Sequence, residues 1–496
     1  MTVQPHPLAP SWLSPRSSSE DLEQKLLPSD AGRSEQGELT FGGIPASELA
    51  ATYGTPLYVV SETDFRARAR AFREAFSEAF APEAEVDVFY AGKAFLTTHA
   101  ARWAAEEGLN IDTASGGELA LALAAGVDPA RIGLHGNNKS DAEIEHALQV
   151  GVGRIIADSL DELSRISELA VRLGVTAPVM LRLTPGVHAS THEHIATAHE
   201  DQKFGLSLTP VGPEASALTA GGAADQSVQN SGQHRGSPAW AAAEAALNLA
   251  GVELVGVHCH IGSQIFEPDG FELAAQRLIQ FLAAVRDAHG VELAELDLGG
   301  GHGIAYTEAD TPRHPQEIAA ALASTVKEAC LECAVDVPRI SIEPGRAIAG
   351  PAGVTLYTAG VTKDVVVEAG VTRRYIAVDG GMGDNARPVL YDADYSALLA
   401  SRPQEGEHSL SRIVGKHCES GDIVVRNVYL PTAVSRGDLL AVPATGAYCH
   451  SLSSNYNYLT RPAVVSVAGG RSEVLIRRET VDMMLSRDTG YAAEAR

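Results

Sequence analysis

Apolar and polar positions follow two textures along this 496-residue chain. Between Phe65 and Pro344, short apolar runs alternate with stretches whose apolar residues recur at helical spacing. The runs are Val86–Ala91, Leu109–Thr113, Arg131–His135, Arg154–Ala157, Val179–Leu183, Leu254–His260, Glu295–Leu298 and Arg339–Ile342. Eight repeats of strand then helix predict a (β/α)₈ barrel of the TIM type over residues 65–345. After Arg346 helical periodicity is sparse. Val354–Val361, Arg374–Val378, Ile423–Val428, Leu439–Val442, Ala463–Val467 and Glu473–Ile476 are β-like and separated by Gly, Pro and Asp. They predict a second, mostly antiparallel β-sandwich or barrel domain over 346–496, joined by residues 41–64 with the early strand Leu57–Val60. Residues 1–40 read as a flexible extension rich in Pro, Ser and charge. The stretch from Gly212 to Pro238 is poor in large apolar residues and reads as a disordered insertion.

Polar residues gather at one end of the predicted strands. Lys93 follows the first run, Asp112 closes the second, and Asn137, Asn138 and Lys139 follow the third. Arg182 closes the fifth run and His260 the sixth. Gly299-Gly300-Gly301-His302-Gly303 follows the seventh, and Glu343-Pro344-Gly345-Arg346 the eighth. Barrel active sites lie at the carboxyl ends of the strands. A lysine, a ring-stacking histidine, a glycine-rich phosphate loop and a carboxylate beside an arginine are the parts of a pyridoxal 5'-phosphate (PLP) site.

Each part has a plainer alternative. Lys93 could bond the cofactor aldehyde if it is buried enough to keep its amine partly neutral; otherwise it is a surface lysine. His258 and His260 share a strand face. His260 is the candidate for ring stacking and Ser263 for the phosphate, while His258 reads equally as a core histidine. The glycine loop offers close backbone approach and N–H donors, without the dinucleotide spacing. Glu343 could keep the pyridine nitrogen protonated, and Arg346 could fork a substrate carboxylate. A simple ion pair between the two is the alternative.

A formal net charge of −25 argues against a general nucleic-acid-binding surface. No apolar run is long enough to span a bilayer, and the first residues lack a signal-peptide core. Five cysteines, an odd count, imply free thiols and a cytoplasmic location. His188, His192, His194 and His199 match no zinc spacing, so no metal is expected. Cys330 and Cys333 read as structural. In the β domain, Arg387, Cys418, Glu419 and Tyr448 sit in Gly- and Asp-rich segments yet are not turn residues, which invites a functional reading.

Tyr90-Ala91-Gly92-Lys93-Ala94-Phe95, His260-Ile261-Gly262-Ser263-Gln264, Glu343-Pro344-Gly345-Arg346, Val378-Asp379-Gly380-Gly381-Met382 and His417-Cys418-Glu419-Ser420-Gly421-Asp422 carry a specific resemblance. From about Phe41 to Leu485, apart from the insertion, the chain resembles the diaminopimelate decarboxylase family of the alanine-racemase-like PLP fold. The resemblance implies that Lys93 carries PLP and His260 stacks on it. Asp112, Ser263, Gly300, Gly301, Glu343, Gly345, Arg346 and Tyr448 would surround the cofactor. Arg346, Arg387, Tyr391, Glu419 and Tyr448 would bind substrate. Cys418 would be the acid that reprotonates the carbanion; a thiol with a reference pKa of roughly 8.5 carries its proton at neutral pH. A head-to-tail homodimer is also implied, with Cys418 and Glu419 completing the partner's site.

The implied reaction is decarboxylation of meso-2,6-diaminopimelate to L-lysine, the last step of bacterial lysine biosynthesis. An ornithine- or arginine-type decarboxylase of the same fold is the enzyme rival; it binds a side chain ending in a cation alone. A catalytically dead regulator is the other, and it should have lost the lysine or the acid. This chain keeps both. Gly92 stands where the family usually has another small residue. The insertion and the N-terminal extension match no family feature.

Overall fold

The structure is a computed structural model that describes residues 6–15, 25–187, 202–210, 234–367 and 370–491. The chain divides into two compact units. A barrel unit holds Arg68–Gly303 and Pro312–Gly345, and a sheet unit holds Met1–Ala67, Ile304–Thr311 and Arg346–Arg496.

In the barrel unit the strands are β1 (Val86–Ala91), β2 (Asn110–Thr113), β3 (Ile132–Leu134), β4 (Arg154–Ala157), β5 (Ala177–Thr184), β6 (Val252–Cys259), β7 (Glu295–Asp297) and β8 (Arg339–Ile342). Each pairs in parallel with the next. β8 pairs back onto β1, with Ile340 opposite Val86 and Ile342 opposite Val88, which closes the barrel. Leu206–Ser207 adds a short parallel strand to β5. Buried Val, Ile and Leu fill these strands because parallel strands in a barrel are covered on both faces.

Local chemistry starts the helices between strands. Ser115, Ser140 and Ser159 each accept a hydrogen bond from the backbone N–H of Glu118, Glu143 and Glu162 respectively. Such N-caps contribute about 1 kcal/mol each. Lys139 is buried and donates to the Gly136 and Ile156 carbonyls and to Glu162. It braces the turn after β3, so its strand-end position there is structural.

Two expectations need correction. Residues 234–238 of the stretch read as a disordered insertion are ordered: His234 is buried edge-on against Phe281, and Ser237 caps the helix Pro238–Asn248. Single apolar or aromatic residues in polar company hide such packing. The rest of that stretch, and the four-histidine cluster His188, His192, His194 and His199, lie outside the described residues.

The second correction falls in the sheet unit. Within residues 1–40, the expected flexible extension, Leu26, Leu27 and Leu39 are buried. Ala31–Arg33, Leu39–Phe41 and Ile44–Pro45 form a small antiparallel sheet. A few leucines anchor a segment whose average composition is polar.

The main sheet runs in the order Ile423–Pro431, His408–Val414, Thr372–Val378, Gly353–Val366, Leu57–Ser61, Ala463–Ala468, Arg471–Ile476. Its pairings are antiparallel except Thr372–Val378 with His408–Val414 and Leu57–Ser61 with Ala463–Ala468. Leu439–Pro443 pairs onto Gly353–Val366. The strand His408–Val414 carries a weak sequence signal because polar His408, Ser409, Ser411 and Arg412 break both the apolar run and the alternation, although Ser411 is itself buried. Among the described residues no helix is long and apolar enough to cross a membrane, and all five cysteines are free.

Candidate active site

The barrel unit has a cavity of about 110 Å³ lined by residues at the carboxyl ends of its strands, among them Lys93, Asp112, His135, Arg182, His260 and Glu343. Five of the residues singled out by sequence, Lys93, Asp112, Arg182, His260 and Glu343, thus line one space. Lys93 sits in the short turn Gly92–Ala94 that leaves β1. Lys93 is solvent-accessible and lines the cavity, so it borders the open space of the site and is not sealed in apolar packing.

Beside the cavity lies a dense set of ionisable groups. Glu343 Oε1 is 3.0 Å from His258 Nε2 and 3.3 Å from His135 Nε2. His135 Nε2 is also 3.1 Å from Asp112 Oδ1. Neither imidazole is aligned to bond these carboxylates, and Glu343 Oε1 and both Asp112 oxygens have no hydrogen-bond partner among the described residues. Burial, then the Asp112 charge, raises the Glu343 carboxyl above its ordinary value. Burial pushes Asp112 up to about 7 against the opposing pull of Arg154. Burial drives His258 down to about 3. It also holds His135 and His260 well below the usual histidine range, with the Lys93 charge adding to the effect at His260. The rings are therefore neutral. A buried carboxylate whose Oε1 makes no hydrogen bond among the described residues is suited to a protonated ring nitrogen.

The glycine loop is shaped by packing. Gly299 and Gly301 have positive φ of 68° and 118°, conformations that only glycine adopts readily. A Cβ on Gly300 would meet the Glu343 carbonyl at 2.1 Å. Gly299 N–H donates to Asp297, and Glu343 N–H donates to the Gly299 carbonyl. The loop is thereby tied to the end of β8. Gly300 N–H reaches His260 Nδ1 at 3.4 Å, which leaves the proton of that ring on Nε2. Gly345 passes so near β1 that a Cβ there would meet Ala91 at 2.9 Å. Ser263 is half-buried in the turn after β6 and is not among the cavity-lining residues. The carboxylates, the lysine, the neutral histidine and the close-packed glycine loop fit a PLP ring and its phosphate.

The Asp112 pKa has a measurable consequence. Its carboxyl keeps a proton up to about pH 7 in the folded chain but releases it near 3.8 when unfolded. The stability this contributes is complete below the unfolded value and is lost as pH rises through the folded one. In the cofactor-free chain, Asp112→Asn should therefore melt at a progressively higher temperature than wild type as pH rises across that window. Parallel melting curves over the same window would refute the assignment.

The other sequence-predicted residues lie in the sheet unit. Arg346 and Arg387 are buried. Arg346 Nη1 donates to the Tyr306 hydroxyl, and Arg387 Nη1 donates to the Tyr395 hydroxyl at 2.8 Å. Arg346 also lies 4.6 Å from the centre of the Tyr448 ring. Tyr448 holds a positive φ of 58°, uncommon for a side chain of its size. Tyr391 closes the short helix Arg387–Leu390 and is half-buried.

Cys418 and Glu419 are exposed on a loop whose base is tightly held. Buried Asp422 accepts from the Met382 N–H at 2.6 Å and the His417 N–H at 2.7 Å, and lies 3.0 Å from His417 Nδ1. The His417 ring stacks on Tyr456, and Cys418 N–H donates to Asn457.

Several residues escaped the sequence reading. His135 ends a predicted run and could have been found by the strand-end rule. Phe204, which lines the cavity, carries no local signal, and neither do Tyr306 and Tyr395, which meet Arg346 and Arg387 within the sheet unit.

The comparisons with known proteins agree with this geometry. Residues 62–229 and 231–350 match the family model described as pyridoxal-dependent decarboxylase, pyridoxal binding domain. The diaminopimelate decarboxylase of Corynebacterium efficiens is 47% identical over 466 residues, covering 94% of this chain and 95% of that one. That of Bacillus subtilis is 43% identical, covering 92% and 97%. The solved diaminopimelate decarboxylase of M. jannaschii in complex with L-lysine superposes with a TM-score of 0.81 at 30% identity, over 93% of this chain and 98% of that one. The chain belongs to the pyridoxal-dependent decarboxylases and, within them, to the diaminopimelate decarboxylase family.

Proposed function

We propose that this chain removes the carboxylate from the D centre of meso-2,6-diaminopimelate, releasing L-lysine and carbon dioxide. The observation that carries the reading is the single cavity shared by Lys93, Asp112, His260 and Glu343 in a chain of this family.

Bound PLP supplies the electron sink that makes loss of carbon dioxide feasible. Lys93 Nζ is the amine that would hold the cofactor. Glu343, raised by burial and by Asp112, keeps a proton at the ring nitrogen. The neutral His260 ring offers a flat face for stacking. The Gly299–Gly303 loop, with Ser263 and the backbone near Gly345, would hold the phosphate. Arg346 and Arg387 bind the distal carboxylate, Glu419 the distal ammonium, and Tyr391 and Tyr448 flank them, which orients the scissile bond. Cys418 Sγ carries the proton that replaces the lost carboxylate.

Cys418 and Glu419 stand exposed on a braced loop, which supports a homodimer in which each chain completes its partner's site. Absence of a membrane-crossing helix among the described residues fits a cytoplasmic enzyme.

An assay with meso-diaminopimelate, L-ornithine, L-lysine and L-arginine tests the reading. The first should be turned over fastest by at least about tenfold, since each lost charge-assisted contact costs roughly 1.5–3 kcal/mol. Glu419→Ala should cut its turnover by about ten- to a hundredfold while leaving PLP bound. Faster turnover of ornithine or arginine would replace this reading with the basic amino-acid decarboxylase.

A further inference from the structure

Resting on the assignment of the cavity to the cofactor, we infer that Arg154 is a positioning residue. It is a cation buried inside the barrel that lets Asp112 and Glu343 carry the negative charge a protonated ring requires. Asp297 sets how much of that cation the two carboxylates receive.

Seven of the eight barrel strands meet at this side chain. Arg154 leaves β4 and is 3% exposed. Its Nη2 donates to Asp297 Oδ2 on β7. Its Nη1 donates to Ser341 Oγ on β8 at 3.0 Å and to Met180 Sδ on β5 at 3.4 Å. The guanidinium lies 3.6 Å from the centre of the Phe89 ring on β1, and Nη2 lies 3.9 Å from Asp112 Oδ1 on β2. Gly133 on β3 leaves room for that approach: a Cβ there would meet Asp112 Oδ1 at 2.7 Å and Arg154 Nε at 3.5 Å. Asp297 Oδ1 accepts from the Gly299 N–H at 2.7 Å, which ties the cation to the glycine loop.

The interior of such a barrel is ordinarily filled by apolar layers. Packed apolar side chains in place of a buried ion pair are commonly neutral or stabilising. Arg154 Nε also makes no hydrogen bond among the described residues. Stability therefore does not account for an arginine here, whereas its charge does. Asp112, Asp297 and Glu343 are all buried, and burial favours their protonated forms. Burial raises Asp112, and Arg154 is the first pull against it; Arg154 pulls the same way on Glu343. Burial likewise raises Asp297, followed by the Glu343 charge, and Arg154 opposes both. Glu295 on β7 also faces the guanidinium, and His135 and His258 beside it are neutral. Lys93 adds positive charge at Asp112 and Glu343 from the cavity side, and Arg182 adds it at the two histidines.

The test titrates PLP into the full-length chain across a range of pH and reads the midpoint at which affinity falls as the carboxylates gain protons. Arg154→Met should raise that midpoint by about one pH unit or more, the scale set by an opposite charge within about 4–6 Å. Arg154→Lys keeps the charge and should stay within about half a pH unit of wild type. Asp297→Asn keeps an oxygen for the Gly299 N–H and leaves the guanidinium to Asp112 and Glu343, so it should lower the midpoint by about one pH unit. The cofactor phosphate titrates alike in every variant, so it cancels in the comparison. Opposite shifts from Arg154→Met and Asp297→Asn are a sign that packing alone does not produce. Shifts in the same direction, an unmoved midpoint, or equal effects of Met and Lys would overturn the inference. Should Arg154→Met fail to fold, the direction of the Asp297→Asn shift decides alone. Without cofactor, the upper end of the pH range over which the melting temperature declines should move the same way in each variant. A wild type that bound no PLP would thus sink the cofactor site and leave the charge balance separately legible.

Discussion

Lys93→Ala should lower turnover of meso-diaminopimelate by more than about 10⁴-fold, the scale of loss when the nucleophile of a covalent mechanism is removed. The residue lies in a three-residue turn off the end of β1 and is exposed, so truncating it opens no core cavity. Surface changes of this kind shift stability by no more than roughly 0.5 kcal/mol. The loss should therefore appear in a chain that melts normally. Borohydride reduction followed by mass measurement should attach the cofactor mass to Lys93 in wild type and to nothing in the variant. Near-normal decarboxylation by the variant would remove Lys93 from the mechanism and with it the reading of the whole cavity.

The parts of the molecule that could be read in the sequence are those whose physics is local. The eight barrel strands announce themselves as apolar runs because a parallel strand covered on both faces has no polar side to show. Lys93, Asp112, His260, the glycine loop and Glu343 could be found because the barrel puts its chemistry at one end of every strand. What sequence could not show depends on distant residues meeting. His234 packs on Phe281, and Leu26 and Leu27 bury a segment of polar composition. Tyr306 is separated from Arg346 by forty positions, |i−j| = 40, yet bonds it. The exposure of Lys93 could not be read either, because it depends on the open cavity that distant strands enclose. Cys418 and Glu419 were readable as residue types out of place in a turn, whereas the Asp422 clamp beneath them became visible only in three dimensions.

That clamp makes Cys418→Ala a clean test of whether two chains share each site. The loop is held by Asp422, by His417 stacked on Tyr456 and by the Cys418 backbone N–H on Asn457. None of these contacts uses the cysteine sulfur, so the variant should keep the loop in place. A proton donor acts in the transition state, so its removal should lower kcat by roughly 10²–10⁴-fold and leave KM nearly unchanged. Co-expressed with Lys93→Ala, it should form mixed dimers in which one of the two sites combines an intact Lys93 from one chain with an intact Cys418 from the other. At equal expression half the dimers are mixed and half their sites are whole, so activity should return to about a quarter of wild type. Recovery requires both that Cys418 is the acid and that it serves the neighbouring chain. Should native mass measurement show the mixed dimers while activity stays at the level of the separate variants, each chain completes its own site and the exposed loop needs another role.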